Sequence, residues 1–332
     1  MRILQVNSAT NLGGGETHVI ELVQALRSGG HDVTVAGRPG GAVQPQIHFS
    51  FRGSADLITA IRLRHFMKRN SFDIVHAHVA RDYTVVAAAA LGLKVKVIFT
   101  RHLLYSVRGN PLYRRVDGWV APTSQMLARL APLRPKRSAL IPNWVDLNKF
   151  SYSPHAVHQP VNIGLLGQIS PHKGHEDAIE ALRQLGPGYR LIIAGKGQES
   201  YVAQLREHSR TLPVEFSGFA EFKEFFERVD ILLVPSWEEP FGIVLLESMA
   251  TGIPVISTSA GGPRDIVRPG LDGILVPPRN PPALATAVRS LSDLQFRASI
   301  IEHARGRVEA EYDIRKVIPR IERFYREVAS AS

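Results

Sequence analysis

Residues 230–265 combine two strands, a loop and a helix in one short stretch, and this order constrains the fold more than any other feature. Ile231–Val234 consists of branched apolar residues and is stopped by Pro235, which predicts a strand buried on both faces. Ile243–Thr251 has the apolar spacing of a helix, and Ile253–Ser257 predicts the next strand. Open sheets built from such parallel β/α/β units bind ligands at the carboxyl ends of their strands. The loop after the first strand is therefore predicted to hold a ligand.

Two carboxylates flank the predicted start of this helix near Phe241. Glu239 stands just before the helix, and Glu247 lies about six residues inside it, roughly 9 Å along the axis. The helix amino terminus favours an anion such as phosphate, which two carboxylates would not themselves bind. They suit hydroxyl groups on either side of the phosphate, for example those of a sugar and a ribose. The alternative is a dipole-stabilising Glu239 and a solvated Glu247.

The spacing of these residues resembles a known family signature. Glu239-Pro240-Phe241-Gly242 followed by Glu247 is similar to the E-x7-E motif of retaining GT-B glycosyltransferases of family 4, and Ser259–Gly262 is similar to the loop that follows it there. The resemblance implies an α/β fold with two Rossmann-like β/α/β domains that face an interdomain cleft. It also implies transfer of a hexose from a nucleotide-diphosphate sugar, with UDP-sugar favoured, and retention of the anomeric configuration.

Further segments match the same family. Gly13–Val19 resembles its first glycine loop, although His18 stands where a dinucleotide fingerprint would have its third glycine. Ser170–Gly174 resembles the phosphate clamp, with Lys173 as the matching cation and Gln168 where the family has arginine. Ser217–Phe219 falls where the family holds the nucleotide base.

The resemblance assigns roles to individual residues. The catalytic residues would be Glu239, which holds sugar hydroxyls, and His102, which reaches the donor sugar from the end of a strand. Glu16 and His18 would lie on the acceptor side. The residues that bind the donor would be Gly15, Gln168, Lys173, Phe219, Phe241, Gly242, Ile243, Val244 and Glu247.

The same comparison predicts the domain organisation. Residues 1–155 would bind the acceptor, residues 156–312 the nucleotide sugar, and residues 313–332 would form a helix that crosses back to the first domain. Pro142–Asp146 resembles the segment at the family's domain junction, with Trp144 in place of a glycine.

The excess of positive over negative charge is confined to the first half of the chain. Residues 1–155 contain 20 Lys and Arg against 8 Asp and Glu, whereas residues 156–332 contain 20 against 22. Residues 56–70 form a basic amphipathic helix in this half, which predicts contact with an anionic membrane surface. The alternative is a helix that only packs on its sheet. The membrane patch would consist of Arg62, Arg64, Lys68 and Arg69.

Composition narrows the class and the setting. The chain has no cysteine, which excludes disulfides and thiolate catalysis and fits a reducing compartment. Its longest apolar run, Val85–Leu93, is too short to span a bilayer. We therefore expect a cytoplasmic protein, peripheral on the inner face of the membrane, with a lipid-linked or lipopolysaccharide-type glycan as acceptor.

The sequence also bears on metal ions, cofactors and other possible functions. No D-x-D motif occurs, so we expect no metal ion, and we expect no cofactor besides the nucleotide sugar and no nucleic-acid partner. His76 and His78 share one face of a strand, where an ordinary strand-end pair is favoured over a metal site. A nucleotide-sugar 2-epimerase or hydrolase of the same fold, or a non-catalytic membrane-binding scaffold, are the alternative functions.

Overall fold

The computed structural model describes residues 1–105 and 109–331 and divides the chain into two compact units. The first contains Met1–Asn143 and the chain from Arg315 onward, and the second is Trp144–Ile314. The segment 144–155, which sequence analysis assigned to the first domain, belongs to the second unit.

The first unit is a parallel α/β structure. Its strands and helices, apart from the last helix, are β1 (Arg2–Val6), α1 (Gly14–Ser28), β2 (Asp32–Gly37), β3 (Ile47–His48), α2 (Leu57–Asn70), β4 (Ile74–Ala77), α3 (Ala80–Ala89), β5 (Lys96–Thr100), β6 (Gly118–Ala121), α4 (Ser124–Ala128) and β7 (Ser138–Leu140). Short 3₁₀ turns cover Pro111–Arg115 and Ala131–Leu133. The strand order is β3-β2-β1-β4-β5-β6-β7, so the order reverses between β1 and β4. Ligands of such sheets bind outside the carboxyl ends of the strands at this reversal.

The second unit repeats this architecture with six parallel strands. Its elements are β8 (Val161–Leu166), α5 (His175–Leu185), β9 (Tyr189–Ala194), α6 (Glu199–His208), β10 (Val214–Gly218), α7 (Phe222–Glu227), β11 (Ile231–Val234), α8 (Ile243–Thr251), β12 (Val255–Thr258), α9 (Pro263–Ile266), β13 (Ile274–Val276), α10 (Pro281–Ser290) and α11 (Leu294–Arg307). The order is β10-β9-β8-β11-β12-β13, with the reversal between β8 and β11. The four residues of β11 are buried, as their composition predicts for a strand covered on both faces.

The last helix, α12 (Ile314–Ala329), packs on the first unit. Its buried Phe324 lies against the backbone of Gly118 in β6, where an added Cβ would come within 2.8 Å of the ring. Glycine at this position therefore lets the helix approach the sheet closely.

Glycines stand at the starts of two helices. α1 begins at Gly14, with Gly13 as its cap, so part of the predicted glycine loop forms the first helical turn. α8 begins at Ile243, since Gly242 has φ of 97° and cannot continue a right-handed helix. None of the helices among the described residues is long and apolar enough to cross a bilayer.

Candidate active site

An ion pair stands at the centre of the candidate site on the second unit. Nζ of Lys173 lies 2.7 Å from Oε2 of Glu239, and the two side chains are 26% and 10% exposed. The hydroxyl of Ser236 donates to the same carboxylate oxygen over 3.2 Å. The sequence placed Lys173 and Glu239 at one site, and the structure brings them into direct contact.

Backbone contacts hold the loop that carries Glu239. Its N–H donates to the carbonyl of Ala260, and its own carbonyl accepts from the N–H of Gly262. A Cβ on Gly262 would lie 2.4 Å from Cα of Phe241, so only glycine lets the two loops approach this closely. The loop after β11 and the loop after β12 therefore act as one rigid support for the carboxylate.

Lys173 is positioned by a similarly close approach. Gly174, at φ of 71°, follows the lysine and lies against the carbonyl of Pro235, where a Cβ would be 2.1 Å from the oxygen. This contact brings the loop after β8 to the carboxyl end of β11, next to the strand end from which the Glu239 loop begins. A side chain at residue 174 would separate the two.

The amino terminus of α8, at Ile243, lies four residues after Glu239. The N–H of Leu245 donates to the carbonyl of Gly242, so the N–H groups of Ile243 and Val244 precede this first bond and point out of the helix end. Phe241 is buried and fixes the entry of the chain into the helix. Glu247 lies within α8 and is also buried. A helix terminus and an ammonium group next to two carboxylates can bind a diphosphate and hydroxyl groups together.

Gln168 and Phe219 lie at the carboxyl ends of β8 and β10, the same edge of the sheet. Both side chains are exposed, and Phe219 is 70% accessible with Nζ of Lys196 5.6 Å from its ring centroid. An exposed aromatic ring beside a cation can stack on a nucleotide base.

The first unit gathers histidines at the carboxyl ends of β4 and β5. The ring centroids of His18 and His102 are 5.5 Å apart, and Nδ1 of His78 lies 3.3 Å from Nε2 of His102. Burial, with the charge of Arg101, lowers the pKa of His102 to about 4, and burial lowers the pKa of His18 well below its usual value. Both imidazoles are therefore neutral near pH 7 and act as hydrogen-bonding groups rather than cations.

Carboxylates lie beside the glycine segment of the same unit. Burial raises the pKa of Glu16, while hydrogen bonds from backbone N–H groups and from Asn7 oppose this shift. Asp82, at the start of α3, is fully buried and accepts from the N–H and the hydroxyl of Ser8, over 2.9 and 2.5 Å. Burial raises the pKa of Asp82 to about 6. Gly15, Glu16 and Asp82 thus all lie in the first turns of α1 and α3, the helices that follow β1 and β4.

Sequence reasoning missed Asp82 and the hydrogen-bond partners of the histidines. No motif marks Asp82, because the feature that distinguishes it is a hydrogen bond from Ser8, which follows a different strand. The sequence places His76 and His78 on one strand face, but their partners Tyr325 and Gln5 are distant in sequence. The common face of the two histidines was the one available signal.

The exposed side of α2 carries both aliphatic and basic residues. Leu57, Ile58 and Ile61 are 70%, 63% and 67% exposed. Arg62, Lys68 and Arg69 are exposed on the same side of the helix. Arg64 differs from them, because its guanidinium donates to the backbone carbonyls of Ala89 and Leu91. The surface defined by Leu57, Ile58, Ile61, Arg62, Lys68 and Arg69 is hereafter called the α2 surface.

One group of metal-type ligands occurs in the described residues, away from the sites above: His155, His158 and Asp230. Both ring nitrogens of His155 lie against backbone carbonyls, those of Ala156, Phe226 and Val229. The Asp230 carboxylate accepts from the backbone N–H groups of His158 and Asn162. We interpret the group as a clamp that fixes residues 155–162 to the start of β11.

The chain matches two glycosyltransferase family models and is similar to several known enzymes. Residues 153–307 match the family model described as "Glycosyl transferases group 1", and residues 12–149 match that described as "Glycosyltransferase Family 4". The chain is 29% identical to glycogen synthase of Mycobacterium tuberculosis, over 94% of this chain and 91% of that protein. It is 26% identical to the lipopolysaccharide core biosynthesis glycosyltransferase LpsE of Rhizobium meliloti, over 87% and 89% of the two chains.

A solved structure shows the same fold. The crystal structure of Anabaena Alr3699/HepE in complex with UDP and glucose superposes with a TM-score of 0.87. The match covers 98% of this chain and 100% of that one, at 22% identity. The two parallel α/β units described above therefore recur together in a single known architecture.

Proposed function

Because the chain belongs to the family 4 glycosyltransferases (glycosyl transferases group 1) with the two-domain GT-B fold, we propose that it is a retaining hexosyltransferase that uses a nucleotide-diphosphate sugar and needs no metal ion. Sugar transfer itself follows from the family. The observation that supports the finer proposal best is the contact between Lys173 and Glu239 beside the amino terminus of α8. UDP-sugar is the proposed donor, which is supported by the UDP bound to the Anabaena relative.

The second unit would bind the donor. Lys173 and the N–H groups of Ile243 and Val244 would hold the diphosphate, since both present positive charge to it. Glu239 would accept hydrogen bonds from sugar hydroxyls, and Glu247 from the ribose. Gln168 would contribute an amide donor in place of the guanidinium that the family has there.

The reaction would proceed on one face of the sugar. The bond from the anomeric carbon to the diphosphate breaks as the acceptor oxygen bonds to the same face, and the acceptor proton passes to the departing phosphate oxygen. The transition state has oxocarbenium character, and the diphosphate gains negative charge as it leaves. Lys173 and the α8 terminus would stabilise that charge. Charged groups and dipoles that are already oriented toward a developing charge lower the barrier to its formation.

The first unit would bind the acceptor. Glu16 and His18 both lie near the start of α1, where hydroxyl groups can be held by a carboxylate and a neutral imidazole. His102 would keep the role in sugar binding that the resemblance implies. A lipid-linked or lipopolysaccharide-type glycan is the proposed acceptor class, and the similarity to a lipopolysaccharide core glycosyltransferase supports it.

Product stereochemistry and metal dependence test this proposal together. We expect a product with the donor's anomeric configuration, formed at an undiminished rate in EDTA, because Lys173 and the α8 terminus supply the charge that a metal ion would otherwise supply. An NMR coupling constant of the product gives its anomeric configuration. Initial rates with each sugar nucleotide, with and without EDTA, give the metal dependence. An inverted linkage contradicts the mechanism, and activity lost in EDTA and restored by magnesium or manganese contradicts metal independence.

We further propose that the α2 surface docks on an anionic membrane. Exposed aliphatic side chains that share a helix face with basic ones suit the interfacial region, where aliphatics enter the acyl boundary and cations meet phosphate headgroups. The basic excess of the first half of the chain adds attraction over a longer range. This surface would bring the enzyme to a lipid-linked acceptor.

Charge reversal on the α2 surface should weaken binding to anionic vesicles. Each cation near an anionic surface contributes about 1 kcal/mol, so the loss of two cations in Arg62→Glu with Lys68→Glu should by itself weaken binding about 30-fold. Flotation with vesicles that contain an anionic lipid measures this, with zwitterionic vesicles in parallel. The matched control is Arg210→Glu with Lys223→Glu, a second pair of basic residues whose side chains are 76% and 87% exposed. Equal loss in both double variants, or wild-type binding to neutral vesicles, would contradict a specific surface.

A further inference from the structure

A buried polar chain crosses the first unit from the last helix to His102. Nε2 of Gln5 donates to the hydroxyl of Tyr325 over 3.1 Å, and Oε1 of Gln5 lies 2.7 Å from Nε2 of His78. Nδ1 of His78 then lies 3.3 Å from Nε2 of His102. Gln5 and Tyr325 are fully buried and His78 nearly so. Buried polar groups of this kind need hydrogen-bond partners within the protein, because water cannot reach them to replace a lost partner.

The orientation of the Gln5 amide sets the direction of the hydrogen bonds in this chain. An amide has a donor at one end and an acceptor at the other, and a neutral imidazole likewise has one nitrogen of each kind. With the Gln5 nitrogen toward Tyr325, its oxygen accepts from Nε2–H of His78. Nδ1 of His78 is then an acceptor and takes Nε2–H of His102. Nδ1 of His102 is left as an acceptor.

A second branch is compatible with the same direction. The Tyr325 hydroxyl lies 2.6 Å from Nδ1 of His76, and Nε2 of His76 lies 2.6 Å from the hydroxyl of Thr100. Since Tyr325 accepts from Gln5, its proton is available for Nδ1 of His76. Each nitrogen of His76 then has one suitable partner. The two branches meet at the Tyr325 hydroxyl, so this one group connects the state of both histidines.

The histidines remain neutral throughout this chain. Burial lowers the pKa of His76 to about 3, and burial together with the neighbouring imidazoles lowers the pKa of His78 well below its usual value. The variable property of these rings near pH 7 is therefore the position of the proton on each ring. The hydrogen bond made by one ring nitrogen determines whether the other nitrogen carries the proton, and proteins set the tautomer of functional histidines in this way.

We propose that Tyr325 and Gln5 are positioning residues that act through His78 to hold His102 with its proton on Nε2 and its lone pair on Nδ1. In this state His102 accepts a hydrogen bond from a sugar hydroxyl and cannot donate one through Nδ1. The functional part of this inference rests on the proposed role of His102 in sugar transfer. Tyr325 comes from α12, so the last helix would contribute to the site as well as to the fold of the first unit.

The test compares Tyr325→Phe with Tyr83→Phe. Tyr83 is equally buried in the first unit, but its hydroxyl donates to the backbone carbonyl of Thr100 and not to an imidazole. Loss of the Tyr325 hydroxyl removes the acceptor that orients Gln5, so its amide can turn and reverse the bonds to His78 and His102. The ¹⁵N shifts and two-bond couplings of the His102 ring in the full-length protein without ligand report the tautomer directly.

In wild-type protein and in Tyr83→Phe we expect one His102 tautomer, protonated on Nε2. In Tyr325→Phe we expect both tautomers and a fall in kcat of about tenfold with little change in the KM of the donor, the scale of one hydrogen bond. Should Tyr325→Phe fail to fold, Gln5→Met takes its place in the same measurements. A single unchanged tautomer in the folded variant, or a wild-type His102 protonated on Nδ1, would overturn the proposal.

The spectroscopic and kinetic readouts separate two kinds of failure. A changed tautomer with unchanged kcat would confirm the hydrogen-bond relay and reject a role for His102 in transfer. A wild-type protein inactive with every sugar nucleotide would reject the proposed function, while the ¹⁵N spectra would still decide the relay.

Discussion

Replacement of Glu239 by Gln should reduce turnover by about 10²–10³-fold while the dissociation constant of the nucleotide changes little. Glutamine keeps the size of the side chain but removes the charge that Lys173 contacts at 2.7 Å and that we propose accepts sugar hydroxyls. The interaction would be stronger in the transition state, where the sugar becomes positively charged, so the loss should appear in kcat. Steady-state kinetics with saturating acceptor measure it, and calorimetry with the free nucleotide measures affinity.

Glu247→Gln is the matched comparison, because it makes the same chemical change at a second buried glutamate of the same segment. We expect it to weaken nucleotide binding, since Glu247 would contact the ribose and not the reacting sugar. Thermal unfolding of both variants checks that neither has lost its fold. Two kinetically indistinguishable variants would contradict the separate roles.

The β11–α8–β12 unit was predictable from the sequence because local forces determine it. A run of branched apolar residues fits a doubly covered strand, and the residues of β11 are all buried. The apolar spacing predicts a helix over Ile243–Thr251, which is the extent of α8, and the positive φ of Gly242 explains why the helix begins at Ile243 and not at Phe241. A glycine in the sequence does not by itself reveal a positive φ, so the structure is needed to show that Gly242 sets this boundary.

Direct contacts between distant segments were not predictable. The Lys173 and Glu239 motifs were each recognisable, but their ion pair depends on the backbone approach of Gly174 to Pro235. The link from Tyr325 to His102 passes through side chains from four separate segments. Sequence periodicity describes one element at a time, whereas these contacts depend on how elements pack.

The α2 surface shows the same limit on a smaller scale. Composition predicts a basic amphipathic helix with four cations in one patch. Arg64 instead bonds the carbonyls that follow α3, while three aliphatic residues near the amino terminus of α2 remain exposed. Which side of a helix faces the protein depends on its neighbours, which the residues of the helix itself do not reveal.

Replacement of Lys173 by Met should lower kcat/KM for the donor by about 10²–10³-fold. Methionine keeps most of the length of the side chain but removes the charge proposed to meet the diphosphate, and that charge matters most as the diphosphate departs. The matched control is Lys223→Met, a lysine of α7 whose side chain is 87% exposed. Initial rates over a range of donor concentrations give the ratio. A control variant that loses as much activity would show a general charge effect instead.

The double variant Lys173→Met with Glu239→Gln distinguishes a cooperating pair from two independent groups. Methionine alone leaves the nearly buried Glu239 carboxylate without its ammonium partner, so part of the single-variant loss is the cost of that unpaired charge. Glutamine at 239 removes the charge and with it this cost. The two losses in activity should therefore fail to add, and the double variant should be no worse than the poorer single variant. Strict additivity of the two free-energy changes would mean that Lys173 and Glu239 act on the donor independently, in spite of their 2.7 Å contact.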